Sequence, residues 1–279
     1  MLGYIGGKNR IGKWIKDYIP TDIETYVEPF GGMFWVYFNM ELEKYPELKN
    51  IVYNDVNELN YNLFSCVVED STLLHSIMKQ YPNQELGNPN TNPMCKELFQ
   101  SFQKEIYQTD KWTSPDYEIA SKYVYVMAQI FSGANPEKAS FMDMKGKYSP
   151  RMIGYTNKMV NPKWVSKFQN ITDVENMDYS DVINKYDSPT TLFYLDAPYF
   201  QKEHYYSNHS FTKESHKSLC NQIKNIDGRF MMSYYEFDEL SEWLPKDEYR
   251  WEYKDFAKIS SISKGKKSNQ GTEVLIMNY

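Results

Sequence analysis

Apolar runs that stop on an acid at a turn constrain this chain most. Leu192-Phe193-Tyr194-Leu195 ends at Asp196 and is followed by Ala197-Pro198-Tyr199-Phe200. Such a run suits a buried strand, and Pro198 ends it while biasing Ala197 toward an extended conformation. Earlier, Glu24 to Glu28 reads as a strand running into Pro29-Phe30-Gly31-Gly32, and Ile51-Val52-Tyr53-Asn54 closes on Asp55. In open α/β sheets this carboxyl edge is where ligands bind. Asp196 and the Ala197 carbonyl emerge there beside the Tyr199 ring, a set able to accept hydrogen bonds from a flat, amine-bearing ring while Tyr199 stacks on it. The plainer alternative is a strand end followed by an ordinary turn.

The glycine turn lies between a strand and the apolar, helix-like run Met33 to Leu42. Strand, glycine turn and helix make the first half of a nucleotide-type site, and an acid ending the next strand is placed for the two hydroxyls of a ribose. Asp55 thus points to an adenosine-containing cofactor, with a cap on the helical run Glu58 to Glu69 as its alternative. Tyr4-Ile5-Gly6-Gly7-Lys8 joins a glycine pair, which lets backbone approach a ligand, to a lysine able to meet a carboxylate or phosphate.

Helical patterning continues to Tyr81 and resumes over Met94 to Gln108 and Asp116 to Phe131, after the breaker-rich loop Tyr81 to Pro93. Strand and helix then alternate again: Ile171 to Val174, a helix opened by Asp178-Tyr179, the Asp196 strand, a helix from Lys213 to Ile226 and a strand at Arg229 to Ser233. Glu248 to Tyr253 and Thr272 to Asn278 read as a closing strand pair. The expected fold is α/β: a Rossmann-like sheet, mostly parallel with an antiparallel C-terminal strand. Residues 1–66 and 170–279 form its catalytic domain, and 67–169 are an inserted, mainly helical subdomain.

Composition excludes several classes. No run approaches the roughly 18 apolar residues of a membrane span, and Lys8, Arg10 and Lys13 stand where a signal-peptide core would be, so the cytosol is expected. Cys66, Cys95 and Cys220 are odd in number and far apart, and the four histidines lack ligand spacing, so reduced cysteines and no metal are expected. A net charge of -6 disfavours indiscriminate nucleic-acid binding. Two basic strips stand out, however. Between Asp143 and Phe168 one acid faces Lys145, Lys147, Arg151, Lys158, Lys163 and Lys167, and Lys264, Lys266 and Lys267 crowd a second segment. They suit a selective polyanion binder or, equally, solvated loops.

In this order the motifs resemble those of the Dam-type DNA adenine-N6 methyltransferases over almost the whole chain. Tyr4 to Lys8 and Phe30-Gly31-Gly32 are similar to the family's cofactor motifs, Asp55 to its ribose acid, and Asp178-Tyr179 to its adenine contacts. Asp196-Ala197-Pro198-Tyr199 resembles the Asp-Pro-Pro-Tyr catalytic motif, with Ala197 in place of a proline of which only the carbonyl is used. The resemblance implies S-adenosylmethionine as cofactor and double-stranded DNA as partner, with base flipping, and a monomer or weak dimer. It also assigns target recognition to the insertion, and the charge of the two basic strips makes Lys145, Lys147, Arg151, Lys158, Lys264, Lys266 and Lys267 the expected DNA contacts. The segment His204 to Phe211 is expected to close over the base. A non-catalytic module keeping the cofactor pocket, or methylation of RNA or another amine, is the alternative.

Overall fold

The computed structural model describes residues 8, 11–84, 91–108, 112–131, 134–144, 151–200, 211–257 and 270–279. Its elements in chain order begin α1 (Gly12–Ile15), β1 (Thr25–Glu28), α2 (Trp35–Asn39), β2 (Asn50–Asn54) and α3 (Glu58–Met78). Next come α4 (Thr91–Gln108), α5 (Tyr117–Gln129), α6 (Arg151–Lys158), α7 (Pro162–Gln169), β3 (Asp173–Glu175) and α8 (Tyr179–Tyr186). The chain finishes with β4 (Thr191–Leu195), α9 (Lys213–Ile223), β5 (Arg229–Tyr234), α10 (Leu240–Trp243), β6 (Arg250–Ala257) and β7 (Gln270–Met277). Among the described residues no helix is long and apolar enough to cross a membrane.

Two compact units result: a sheet unit of Lys8–Gly31, Asn39–Asn54 and Met177–Tyr279, and a helical unit that takes in Gly32–Phe38 and Asp55–Asn176. Six of the sheet's seven strands belong to the sheet unit, in the order β2-β1-β4-β5-β7-β6. β1 runs parallel to β2 and β4, and β4 parallel to β5, whereas β7 lies antiparallel to both β5 and β6. The α/β class and the antiparallel finish are as the sequence led us to expect. Every residue of β1 and β4 is buried, which is why β4 reads as an apolar run instead of an alternating one, while β1 buries polar Thr25 and Glu28 at its ends.

The register positions the site. β1 and β4 are neighbours although the strands next to them in sequence lie on opposite sides, so strand order reverses between them. Chains leaving the carboxyl ends at such a reversal diverge and open a crevice. Glu28-Pro29-Phe30-Gly31 leaves β1 there, and Asp196-Ala197-Pro198-Tyr199 leaves β4. Leu195 pairs with Met232, so Ser233 of β5 lies level with Asp196. Tyr234 pairs with Val274, which brings Glu273 of the antiparallel β7 to the same edge.

In the helical unit, α5 packs between α3 and α4 and buries every residue from Ile119 to Gln129 except Lys122. Buried polar side chains tie the helices together: Tyr123 donates to Asn60 Oδ1 at 2.9 Å, and Asn62 exchanges hydrogen bonds with the Asp116 backbone at 2.8 and 2.7 Å. α3 kinks at Asp70, where a φ of -153° interrupts the helix and the side chain accepts from Thr72 and Leu73 N–H, restarting it as an N-cap does. The first basic strip contains two helices where sequence reading allowed solvated loops. Asn161 caps α7 and Pro162 sits in its first turn, where a missing N–H costs nothing.

Candidate active site

Two strand-to-turn junctions build the first half of the site. In the sheet unit, Gly31 N–H donates to the Asn54 carbonyl at 2.7 Å, while Asn54 Nδ2 donates to the carbonyls of Pro29 at 2.8 Å and Met177 at 3.1 Å. A Cβ on Gly31 would lie 2.5 Å from Tyr53 Cε2 and 2.8 Å from the Asn54 carbonyl oxygen, so only glycine fits. The Phe30 ring stacks on Tyr179 with centroids 5.2 Å apart, and Phe211 packs edge-on to Phe30. Burial raises the Tyr179 hydroxyl above its ordinary pKa. Asp178 is exposed and caps α8, accepting from Ser180 N–H at 2.9 Å.

In the helical unit, Asp55 braces the second residue of the glycine turn. Its Oδ2 accepts from Gly32 N–H at 3.0 Å and Asn60 Nδ2 at 2.8 Å, and its Oδ1 from Asn57 N–H at 2.8 Å. Asn57, not Asp55, caps α3. Gly32 at φ 48° and Phe34 at φ 55° are both left-handed, and Phe34 is fully buried between Tyr37 and Phe64. Left-handed φ is costly for a bulky residue and persists only where packing over-determines it. It also delays the helix: α2 begins at Trp35, short of the ten-residue run read from the sequence.

The second half of the site is a charged cluster, all of it in the sheet unit. Lys8 Nζ lies 2.9 Å from Asp196 Oδ1 and 2.9 Å from Glu273 Oε1. Lys8 and Glu273 are 5% and 1% exposed, whereas Asp196 is 21% exposed. The Tyr199 hydroxyl donates to Glu273 Oε1 at 2.6 Å, and the Lys8 ammonium stands 4.4 Å above the Tyr199 ring. Ser233 Oγ donates to Asp196 Oδ1 at 3.3 Å and lies 2.8 Å from the Tyr194 hydroxyl. Asp196 Oδ1 therefore has two donors, while Oδ2 has none among the described residues.

These contacts set the charges. Burial pushes the Asp196 carboxyl up to about 6, with Lys8 opposing the rise and Glu273 adding to it. Burial alone would lower the Lys8 ammonium, but Asp196 and Glu273 outweigh it and hold Lys8 above its usual range. The cluster sets one ammonium against two carboxyl groups, and an ionised Asp196 is acceptor-only, which suits hydrogen bonds from an amine.

The rest of the motif is fixed from beneath. Ala197 is buried, and the Pro198 carbonyl accepts from the Tyr234 hydroxyl at 3.2 Å, with Tyr234 also bonded to His216 Nδ1. Tyr199 is 7% exposed and its ring packs 4.3 Å from that of Tyr235. A base stacking on Tyr199 must therefore replace one of its present neighbours. Lys8, expected beside the cofactor, meets carboxylates at the catalytic end. Glu273 and Ser233 were not singled out in the sequence; Glu273 read only as part of the closing strand.

Of the expected DNA-contacting residues, Lys158 is half-buried with its Nζ 5.0 Å from the Trp164 ring, 5.5 Å from Tyr155 and 6.0 Å from Trp35. Burial holds its pKa below the ordinary lysine value. Arg151 donates to the Ile130 carbonyl. Tyr4, Lys145, Lys147, Lys264, Lys266, Lys267 and positions 204–210 of the expected closing segment lie outside the described residues.

Comparison with known proteins agrees with this geometry. Over 287 residues the chain is 25% identical to the type II methyltransferase M.CviBI of Paramecium bursaria Chlorella virus NC1A, covering 100% of this chain and 99% of that protein. It is 24% identical over 296 residues to the modification methylase StsI of Streptococcus sanguinis, covering 100% of this chain and 42% of that longer protein. The model of D12 class N6 adenine-specific DNA methyltransferases matches residues 4–259, a span that holds the glycine turn, Asp55 and the Asp196 motif. The chain belongs to that family and is an enzyme that methylates the N6 amine of adenine in DNA.

Proposed function

We propose that the methyl donor is S-adenosylmethionine, that the DNA is double-stranded, and that the target adenine is flipped out to meet Asp196. The observation that carries this reading is the Asp196 carboxylate at the carboxyl end of β4, with Oδ1 engaged by Lys8 and Ser233 and no donor on Oδ2 among the described residues. Gly31, whose missing Cβ leaves room for Tyr53 and the Asn54 carbonyl, keeps the turn tight against the end of β2. Phe30, Gly31, Asp178 and Tyr179 of the sheet unit would hold the adenine end of the donor, and the family resemblance assigns its ribose to Asp55. When bound, the donor supplies an electrophilic methyl group.

The chain's own residues act on the target. The lone pair of an adenine amine is delocalised into the ring, and acceptors on its two protons draw it back onto nitrogen. Asp196 Oδ2 and the Ala197 carbonyl would be those acceptors, ionised or fixed before the base arrives. Extruding a base from a duplex costs a few kcal/mol, of which stacking on an aromatic ring returns about 1–3 kcal/mol. Tyr199 would supply the stacking. Phosphate contacts from Lys145, Lys147 and Arg151, in an insertion over 67–169 that reads the target, would supply the remainder.

The test is transfer of labelled methyl from S-adenosylmethionine to unmethylated duplex DNA, followed by digestion to nucleosides. Label in N6-methyladenine is expected. Label in cytosine, or in RNA in preference to DNA, would overturn the reading.

A further inference from the structure

We propose that Glu273 is a positioning residue for methyl transfer, holding the Tyr199 hydroxyl and the Lys8 ammonium so that Asp196 turns Oδ1 inward to Lys8 and Ser233 and presents Oδ2 alone to the target amine. The proposal rests on the reading of Asp196 as the acceptor and extends it to residues at both ends of the chain.

Three features argue for it. The first is geometric: Glu273 Oε1 takes the Tyr199 hydroxyl at 2.6 Å and Lys8 Nζ at 2.9 Å, so a single oxygen ties the ring to the cation that grips Asp196 at 2.9 Å. The second is burial: at 1% exposure, a carboxylate is costly unless its partners are fixed, and those partners include Tyr199 of the motif and the Lys8 that grips Asp196. The third is placement. β7 runs against β5, so Glu273 enters the edge from the opposite direction to Asp196, and a strand outside the motif braces it from the side.

Among the described residues, the charged and titratable groups acting on Asp196 are Lys8, Glu273 of β7, Tyr194 of β4 and Tyr235, with Ser233 of β5 as a neutral donor. Glu273 and Lys8 act on it with opposite sign. Removing the Glu273 charge eases ionisation of Asp196, whose carboxyl the environment holds at about 6, and removing Lys8 hinders it. A residue remote from Asp196 that only supports the fold would not shift it.

The experiment uses the full chain, tritiated S-adenosylmethionine and long unmethylated duplex DNA. It measures kcat, KM and the pH dependence of kcat/KM for Glu273→Gln, Lys8→Gln, Tyr199→Phe and Asp196→Ala. For Glu273→Gln we expect kcat to fall about 10–100-fold, the usual loss for a group that orients a catalytic residue, with KM for DNA within about threefold. The acid limb should move to lower pH in Glu273→Gln and to higher pH in Lys8→Gln. Tyr199→Phe, which keeps the ring, should lose about threefold or more in kcat. Parental kcat in Glu273→Gln, or a lower kcat with an unmoved limb, overturns the proposal. If Glu273→Gln does not fold, Tyr199→Phe at parental kcat overturns it instead. Asp196→Ala separates the two readings: transfer by that variant overturns the role of Asp196, whereas its loss beside a fully active Glu273→Gln overturns only that of Glu273.

Discussion

Replacing Gly31 with alanine should damage the protein, and replacing Gly154 should improve it. At Gly31 the new methyl would stand 2.5 Å from Tyr53 Cε2 and 2.8 Å from the Asn54 carbonyl oxygen. Neither neighbour can retreat: Tyr53 is fully buried, and the carbonyl is held at 2.7 Å by the N–H of Gly31 itself. Relief requires opening the turn by about an ångström, and overpacking of this kind costs about 1–3 kcal/mol. With Tm moving roughly 2–4 °C per kcal/mol in chains near this size, Gly31→Ala should melt about 2–12 °C lower. Gly154 is exposed on α6, and a Cβ there meets nothing within 4 Å. Filling it removes backbone entropy from the unfolded chain and should add about 0.5–1 kcal/mol. Calorimetry of both variants without ligand, repeated with saturating S-adenosylmethionine, is the assay. Gly31→Ala should also lose most of the ligand-induced rise. A Gly31→Ala protein with parental melting and cofactor affinity would refute the close approach, and destabilisation by Gly154→Ala would refute the open surface at α6.

Three further outcomes follow from the same contacts. Asp55→Ala removes the acceptor of Gly32, Asn57 and Asn60, so it should abolish most of the roughly 2.7 kcal/mol that a hundredfold excess of cofactor over Kd contributes to stability; an undiminished thermal shift counts against Asp55. Lys145→Ala and Lys147→Ala should each lower the salt-dependence slope of DNA binding by about 0.9, whereas Lys158→Ala, which withdraws a cation packed among Trp35, Tyr155 and Trp164, should chiefly lower Tm; the reverse pattern would place Lys158 on the DNA. Burial pushes the Cys66 and Cys220 thiols up to about 12, so neither should be alkylated by iodoacetamide at pH 8 until the chain unfolds, and mass spectrometry of the native protein showing either adduct would contradict their burial.

What the sequence revealed and what it hid follow one division. β1, β2, β4 and β5 were legible because strands buried on both faces are written as short apolar runs, and their ends because Asp196, Gly31 and Asp55 break them. α8 was legible at its start because Asp178 is a cap, a purely local device. α6 and α7 were not, since each is a short, lysine-bearing segment inside a basic strip, although the Asn161 cap and Pro162 mark the start of α7 as locally as Asp178 marks that of α8. The Lys8 to Glu273 pair was least legible. A charge buried by a partner at the other end of the chain leaves no periodicity, and Glu273 among Val274, Leu275 and Ile276 looks like a solvent-facing interruption of a strand although it is 1% exposed.

The central claim is that Asp196 Oδ2 receives the target amine, and single-turnover methyl transfer by Asp196→Ala tests it most directly. Cofactor binding should match the parent, because no cofactor contact has been ascribed to that side chain, and DNA should still bind through its other contacts. The chemical step should slow by at least about 10²–10³-fold, the usual loss when a preorganised group acting in the transition state is removed. A variant that binds both ligands and transfers methyl within about tenfold of the parental rate would contradict the account.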